Sequence, residues 1–171
     1  MADNVTMPLT GESAACAAAT FLDPQAAAAL KLPTSARGYA GAASAFLIAF
    51  EQLRDEVPML PRLYLAAQTL EYTLKAYIGW ADASKLGKPL LGHDLLNLWE
   101  MAFDASNAAP IKLLIGRKPP EWCETLATFH GSPYMDRYPP DVAMAYSLAN
   151  HEDLTGKLRA LLAEVEAAFP Q

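Results

Sequence analysis

The chain has 171 residues, of which 53% are hydrophobic and 19% charged, and its formal net charge is −6. This length and apolar content predict one folded domain and exclude a disordered chain. The negative charge argues against indiscriminate nucleic-acid binding, which needs clustered Lys and Arg. No apolar run approaches the roughly 20 residues that cross a bilayer, and the N-terminus lacks the basic region of a signal peptide. We therefore expect no membrane partner and a cytoplasmic location.

Residues 1–36 differ in composition from the rest of the chain. They contain two alanine-rich pieces, residues 14–19 and 26–30, on either side of Asp23 and Pro24. Neither piece has a wide face of large apolar side chains, which a packed helix requires. We expect a partly ordered N-terminal arm over residues 1–36, followed by a single helical domain over residues 37–171.

Helical periodicity accounts for most of that domain. It predicts helices over residues 39–56, 62–81, 95 to about 104, 121–130 and from 151 onward. The first helix has an apolar stripe made of Phe46, Ala49, Phe50, Leu53 and Val57. The stripe of the second is longer: Leu63, Ala66, Ala67, Leu70, Leu74, Tyr77 and Ile78. The predicted fold class is therefore all-α, an up-and-down bundle of four to five helices with an alanine-rich N-terminal arm.

Three short segments resemble the HEPN superfamily of helical domains. They are LAAQTLEYTLKAY at residues 65–77, GHDLLNL at 92–98 and RYP at 137–139. The resemblance implies a four- or five-helix bundle that commonly forms two-fold dimers. Many members are metal-independent RNases of toxin–antitoxin and anti-phage systems. Their catalytic signature is an arginine followed, four to six residues later, by a histidine on the same late helix.

This chain lacks that signature at each of its histidines. Upstream of His93 the only cation at the right distance is Lys88, and the windows before His130 and His151 contain none. We therefore predict no catalytic residue and a non-catalytic HEPN-like binding or dimerisation module in a stress, defence or toxin–antitoxin setting. The alternative is a divergent metal-independent RNase that combines Arg137 with His93 or His130 at a dimer cleft. A third hypothesis is a bundle that binds a small molecule or nucleotide.

Five residues are candidates for binding a ligand or RNA: His93, His130, Tyr134, Arg137 and Tyr138. Two tyrosines and a guanidinium in a proline-rich segment can stack bases and grip a phosphate. Each candidate also has a structural interpretation. His93 would hold the hairpin between the second and third helices, His130 would cap a helix end, and the other three would pack on the bundle or form an ion pair.

No metal ligand and no cofactor are predicted. A metal site on a helix usually has two ligands at i and i+4, and no histidine here has such a partner. Cys16 and Cys123 are isolated and show no zinc-binding spacing. The outer side of the second helix, with Tyr64, Gln68 and Tyr72, is more apolar than a solvated face needs to be. Together with the arm, it predicts a homodimer and leaves room for another protein partner.

Overall fold

The computed structural model describes residues 34–53, 59–86, 92–130 and 151–169, with the backbone alone at 151 and 152. These residues form five α-helices and no β-strand, within one structural unit, Pro33–Gln171. The helices are α1 (Ala36–Gln52), α2 (Met59–Ala81), α3 (Leu95–Ala108), α4 (Glu121–His130) and α5 (His151–Ala168). The predicted all-α bundle is confirmed. Of the predicted arm, residues 1–33 lie outside the described residues.

Helix α2 lies at the centre of the bundle and contacts each of the other four α-helices. All seven residues of its predicted stripe are buried: Leu63, Ala66, Ala67, Leu70, Leu74, Tyr77 and Ile78. Because neighbours surround the helix, polar residues outside the stripe are buried too. The hydroxyls of Thr69 and Thr73 donate to backbone carbonyls one turn earlier, at 2.8 and 2.7 Å. These bonds satisfy groups that burial would otherwise leave unpaired.

Two helix starts explain how the chain enters the bundle. The Asp94 carboxylate accepts hydrogen bonds from the backbone N–H groups of Leu96 and Asn97, at 3.0 and 3.1 Å, and caps α3. This cap fixes the backbone next to His93. Helix α2 begins at Met59, three residues before the predicted start, so Pro61 lies in its first turn. Proline is tolerated there because the first N–H groups of a helix have no intrahelical acceptor.

Helix α1 covers the side of α2 that was expected to be exposed. The ring of Phe46 lies 6.4 Å from that of Tyr64 and 5.5 Å from that of Tyr72, measured between centroids. The Tyr39 ring is 5.7 Å from Tyr72 on the same side, and Gln68 is buried. The apolar character of this face therefore serves packing within the chain, and it no longer supports a dimer interface there.

The connection between α3 and α4 is pinned to the bundle by side chains. The Tyr77 hydroxyl donates to the Ile111 carbonyl at 2.8 Å and accepts from the Leu113 N–H at 3.2 Å. The indole N–H of Trp99 donates to the Gly116 carbonyl at 2.9 Å. These bonds set where the chain enters α4, and hence where α4 ends. None of the described helices combines the length and apolar character of a bilayer-spanning segment.

Candidate functional site

A buried carboxylate on α2 gathers three polar side chains around it. Glu71 has no exposed side-chain surface, and its Oε1 atom accepts a hydrogen bond from Lys75 Nζ at 2.6 Å. His93 Nδ1 lies 3.0 Å from Oε2 and 3.1 Å from Oε1. His130 Nε2 lies 2.5 Å from Oε2. We refer to Glu71, Lys75, His93 and His130 as the Glu71 cluster.

Separate elements of the bundle bring these residues together. Glu71 and Lys75 lie one turn apart on α2, the spacing at which two side chains meet on one helix face. His93 comes just before Asp94, the residue that caps α3. His130 is the last residue of α4, which packs on both α2 and α3. The two imidazole rings are 6.1 Å apart between centroids and nearly perpendicular, at 79°.

The surroundings of Glu71 keep it ionised. Burial alone would raise the pKa of this carboxyl, because an apolar interior disfavours the charged form. Hydrogen bonds from His130, Lys75 and His93, with the positive charge of Lys75, outweigh that effect and lower the pKa of Glu71 to about 2. Burial also raises the pKa of Tyr39, and the negative charge of Glu71 adds to that rise.

The ionised carboxylate defines the protonation of both rings. A carboxylate accepts hydrogen bonds and cannot donate them. His93 must therefore carry a proton on Nδ1 and His130 a proton on Nε2 when they bond to Glu71. Three N–H donors then surround one carboxylate, and both of its oxygens accept hydrogen bonds. This pairing offsets the cost of several kcal/mol that an isolated buried charge would carry.

The Glu71 cluster reaches the solvent through one of its members. The side chain of His93 is 45% exposed, whereas those of Glu71 and His130 are fully buried and that of Lys75 is 6% exposed. One potential ligand atom from each of Glu71, His93 and His130 lies within 4.8 Å of the other two. The arrangement has two chemical capacities: a carboxylate that orients an accessible imidazole, and a set of donors that converge on one point.

Two of the five predicted binding residues lie in this cluster. His93 and His130 meet at Glu71, while Tyr134, Arg137 and Tyr138 lie outside the described residues. Sequence reasoning missed Glu71 as the centre of the site, because its pairing with Lys75 is typical of a solvated helix flank. Instead, both residues are buried. The available signal was the apolar outer side of α2, with Tyr64 and Tyr72, which indicated that this helix has no fully solvated face.

Cys123 is not a nucleophile in this fold. It is a free cysteine with no exposed surface on the buried side of α4. Burial, with a smaller contribution from the charge of Glu124, raises the pKa of its thiol to about 12. The thiolate is the reactive form of cysteine, so this side chain is chemically inert at neutral pH.

A search among known proteins found no match to this chain, whether among protein-family models, curated proteins or solved structures.

We expect Glu71→Gln to destabilise the protein by about 3–5 kcal/mol, because it leaves the buried Lys75 ammonium without its counter-charge. Urea unfolding followed by circular dichroism measures this change. Glu100→Gln, the same substitution at an exposed site on α3, should change stability by no more than about 0.5 kcal/mol. Adding Lys75→Met to Glu71→Gln should recover part of the loss. Equal stabilities for Glu71→Gln and Glu100→Gln would contradict the role of the cluster.

The depressed pKa of Glu71 also predicts an acid-dependent stability. The carboxyl titrates near its ordinary value of 4.5 when the chain is unfolded and near 2 when it is folded. Its contribution is therefore complete above pH 4.5 and lost as the pH falls to about 2. The stability advantage of wild type over Glu71→Gln should shrink across this range by roughly 3 kcal/mol. Urea unfolding of both proteins with a chelator present tests this, and a constant difference would refute it.

Proposed function

We propose that this chain is a HEPN-like helical domain that works as a non-catalytic binding and dimerisation module in a stress, defence or toxin–antitoxin setting. The observation that carries the proposal is the meeting of two of the segments that resemble the family. Glu71 and Lys75 come from residues 65–77 and His93 from residues 92–98, and Lys75 and His93 each form a hydrogen bond with Glu71. This contact between the two segments supports the proposal.

The burial of the Glu71 cluster favours binding over catalysis. Glu71 and His130 have no exposed side-chain surface, and Lys75 has almost none. A substrate can therefore reach His93 alone among the four residues. The other three satisfy each other's charges and hydrogen bonds, which is what a structural network requires. On this view the module acts through its outer surface.

The alternative function is a divergent RNase, and one feature of the cluster favours it. Two imidazoles share one carboxylate, and the more exposed of them, His93, is oriented by it. An imidazole held in this way can move the proton of a 2′-hydroxyl. Arg137, the partner predicted from sequence, would supply the guanidinium that stabilises a pentacoordinate phosphate.

An RNA cleavage assay separates the two functions. For a binding module, the purified chain should leave single-stranded RNA intact, and so should His93→Ala and Arg137→Ala. Cleavage by wild type that is lost in either variant would establish the RNase and overturn the proposal. Cleavage that persists equally in both variants would identify a contaminating nuclease, and the proposal would stand.

Dimerisation is tested separately by sedimentation velocity at micromolar concentration. We expect a species with the mass of two chains, which dissociates on dilution. Because α1 covers the side of α2 that carries Tyr64 and Tyr72, the interface must use another surface. Phe46→Ala, which uncovers those rings, should therefore leave the dimer in place. A monomer at all concentrations would rule out the dimerisation part of the proposal.

A further inference from the structure

We propose that Glu71, His93 and His130 form a binding site for one divalent first-row transition-metal ion of the zinc or iron(II) type. Their donor atoms are a carboxylate oxygen and two imidazole nitrogens, which lie within 4.8 Å of one another. Two histidines and a carboxylate are a common ligand set for such ions, both in catalytic zinc sites and in non-haem iron sites. The sequence pattern did not reveal this ligand set, because each donor comes from a different part of the fold and no two histidines are spaced i,i+4.

The distances suit an ion after a small adjustment. Zinc lies about 2.0–2.1 Å from imidazole nitrogen and about 2.0–2.2 Å from carboxylate oxygen, so two of its ligands are roughly 3–3.4 Å apart. His93 Nδ1 is already 3.0 Å from Glu71 Oε2, and His130 Nε2 is 2.5 Å from it. Room for the ion requires widening the shorter contact by less than about 1 Å and bringing the two nitrogens, which lie within 4.8 Å of each other, to a similar separation. As the ion binds, the proton on each ligating nitrogen moves to the other nitrogen of the same ring or to solvent, so that each imidazole ligates in its neutral form.

Lys75 holds the carboxylate in a suitable orientation. Its ammonium is bonded to Oε1 at 2.6 Å, while Oε2 is the oxygen that faces both imidazoles. A metal on Oε2 would thus have a carboxylate whose other oxygen is hydrogen-bonded, as is usual for ligating carboxylates. The ammonium also repels a second cation. We therefore expect an affinity weaker than that of a structural zinc site.

The exposure of the three donors indicates how an ion would enter. Glu71 and His130 are fully buried, whereas 45% of the His93 side chain is accessible. An ion would arrive from the side of His93 and could take a water molecule from that direction as a further ligand. The nitrogen donors also select the type of ion, because Mg²⁺ and Ca²⁺ prefer oxygen ligands alone.

Titration of the full-length, chelator-treated chain tests the site at about pH 8, because protons compete with metal ions for imidazole nitrogen and do so less at higher pH. Isothermal calorimetry with Zn²⁺ should show saturable binding of one ion per chain, and Mg²⁺ should show none. Co²⁺ should give the visible absorption bands of an ion with nitrogen and oxygen ligands. His93→Ala should weaken binding by about tenfold or more through the loss of one of three donors.

Two further variants make the result decisive. Glu71→Gln should weaken binding as His93→Ala does, and Glu100→Gln, which changes the net charge equally at an exposed site, should bind as wild type. His93→Gln replaces His93→Ala if circular dichroism shows that the alanine variant is unfolded. Failure of wild type to bind Zn²⁺ or Co²⁺ in a saturable way, or equal binding by folded His93 variants, would overturn the site. Neither outcome depends on dimerisation or RNA cleavage.

Discussion

The main constraint on this bundle is a buried carboxylate that has no contact with solvent. Glu71 lies in the middle of the central helix, and every side of that helix is covered. Such a charge is tolerated only when donors surround it, because its desolvation costs several kcal/mol. One donor comes from the same helix, but the others must come from chain segments 22 and 59 residues away. The charge therefore ties the start of α3 and the end of α4 to α2.

The same arrangement explains why structural and chemical interpretations of the cluster coexist. Residues that neutralise a buried carboxylate are also residues that can move protons or ligate metals. What distinguishes the roles is access, and only His93 combines membership of the cluster with substantial exposure. A bundle that needed nothing but stability would gain from replacing the charged residues with apolar ones of similar volume. The presence of a polar centre with an opening at His93 is the reason to seek a ligand there.

The sequence predicted the fold well where the apolar stripe is long or the turn signals at the helix ends are clear. The seven-residue stripe of α2 is buried throughout, and the predicted bounds of α4 match those observed. The stripe of α1 was less accurate. Of its five predicted residues, Phe50 is buried, Ala49 and Leu53 are partly buried, Phe46 is partly buried against the α2 tyrosines, and Val57 lies outside the described residues. Tyr39 and Leu47, which were not part of the predicted stripe, lie in the core. Alanine-rich helices have several faces of similar hydrophobicity, so the pattern does not fix which one turns inward.

Sequence patterns predicted only part of the site. His93 and His130 attracted attention as rare titratable residues beside turn signals, but their common partner did not. Spacing within one helix can reveal the pairing of Glu71 with Lys75, but it carries no information about contacts across tens of residues. It also cannot show that such a pair is buried, since that depends on how many helices surround it. Here α2 has neighbours on all sides.

The contact between His130 and Glu71 also determines the register of α4 against α2. Apolar stripes alone tolerate sliding, since moving a helix by one turn replaces one aliphatic contact with another. Such a slip would displace the His130 ring by about 5.4 Å and leave the carboxylate short of a donor. A ten-residue helix with a modest apolar face thus has one favoured axial position. The polar centre selects a single packing among alternatives that hydrophobic burial would leave nearly equal in energy.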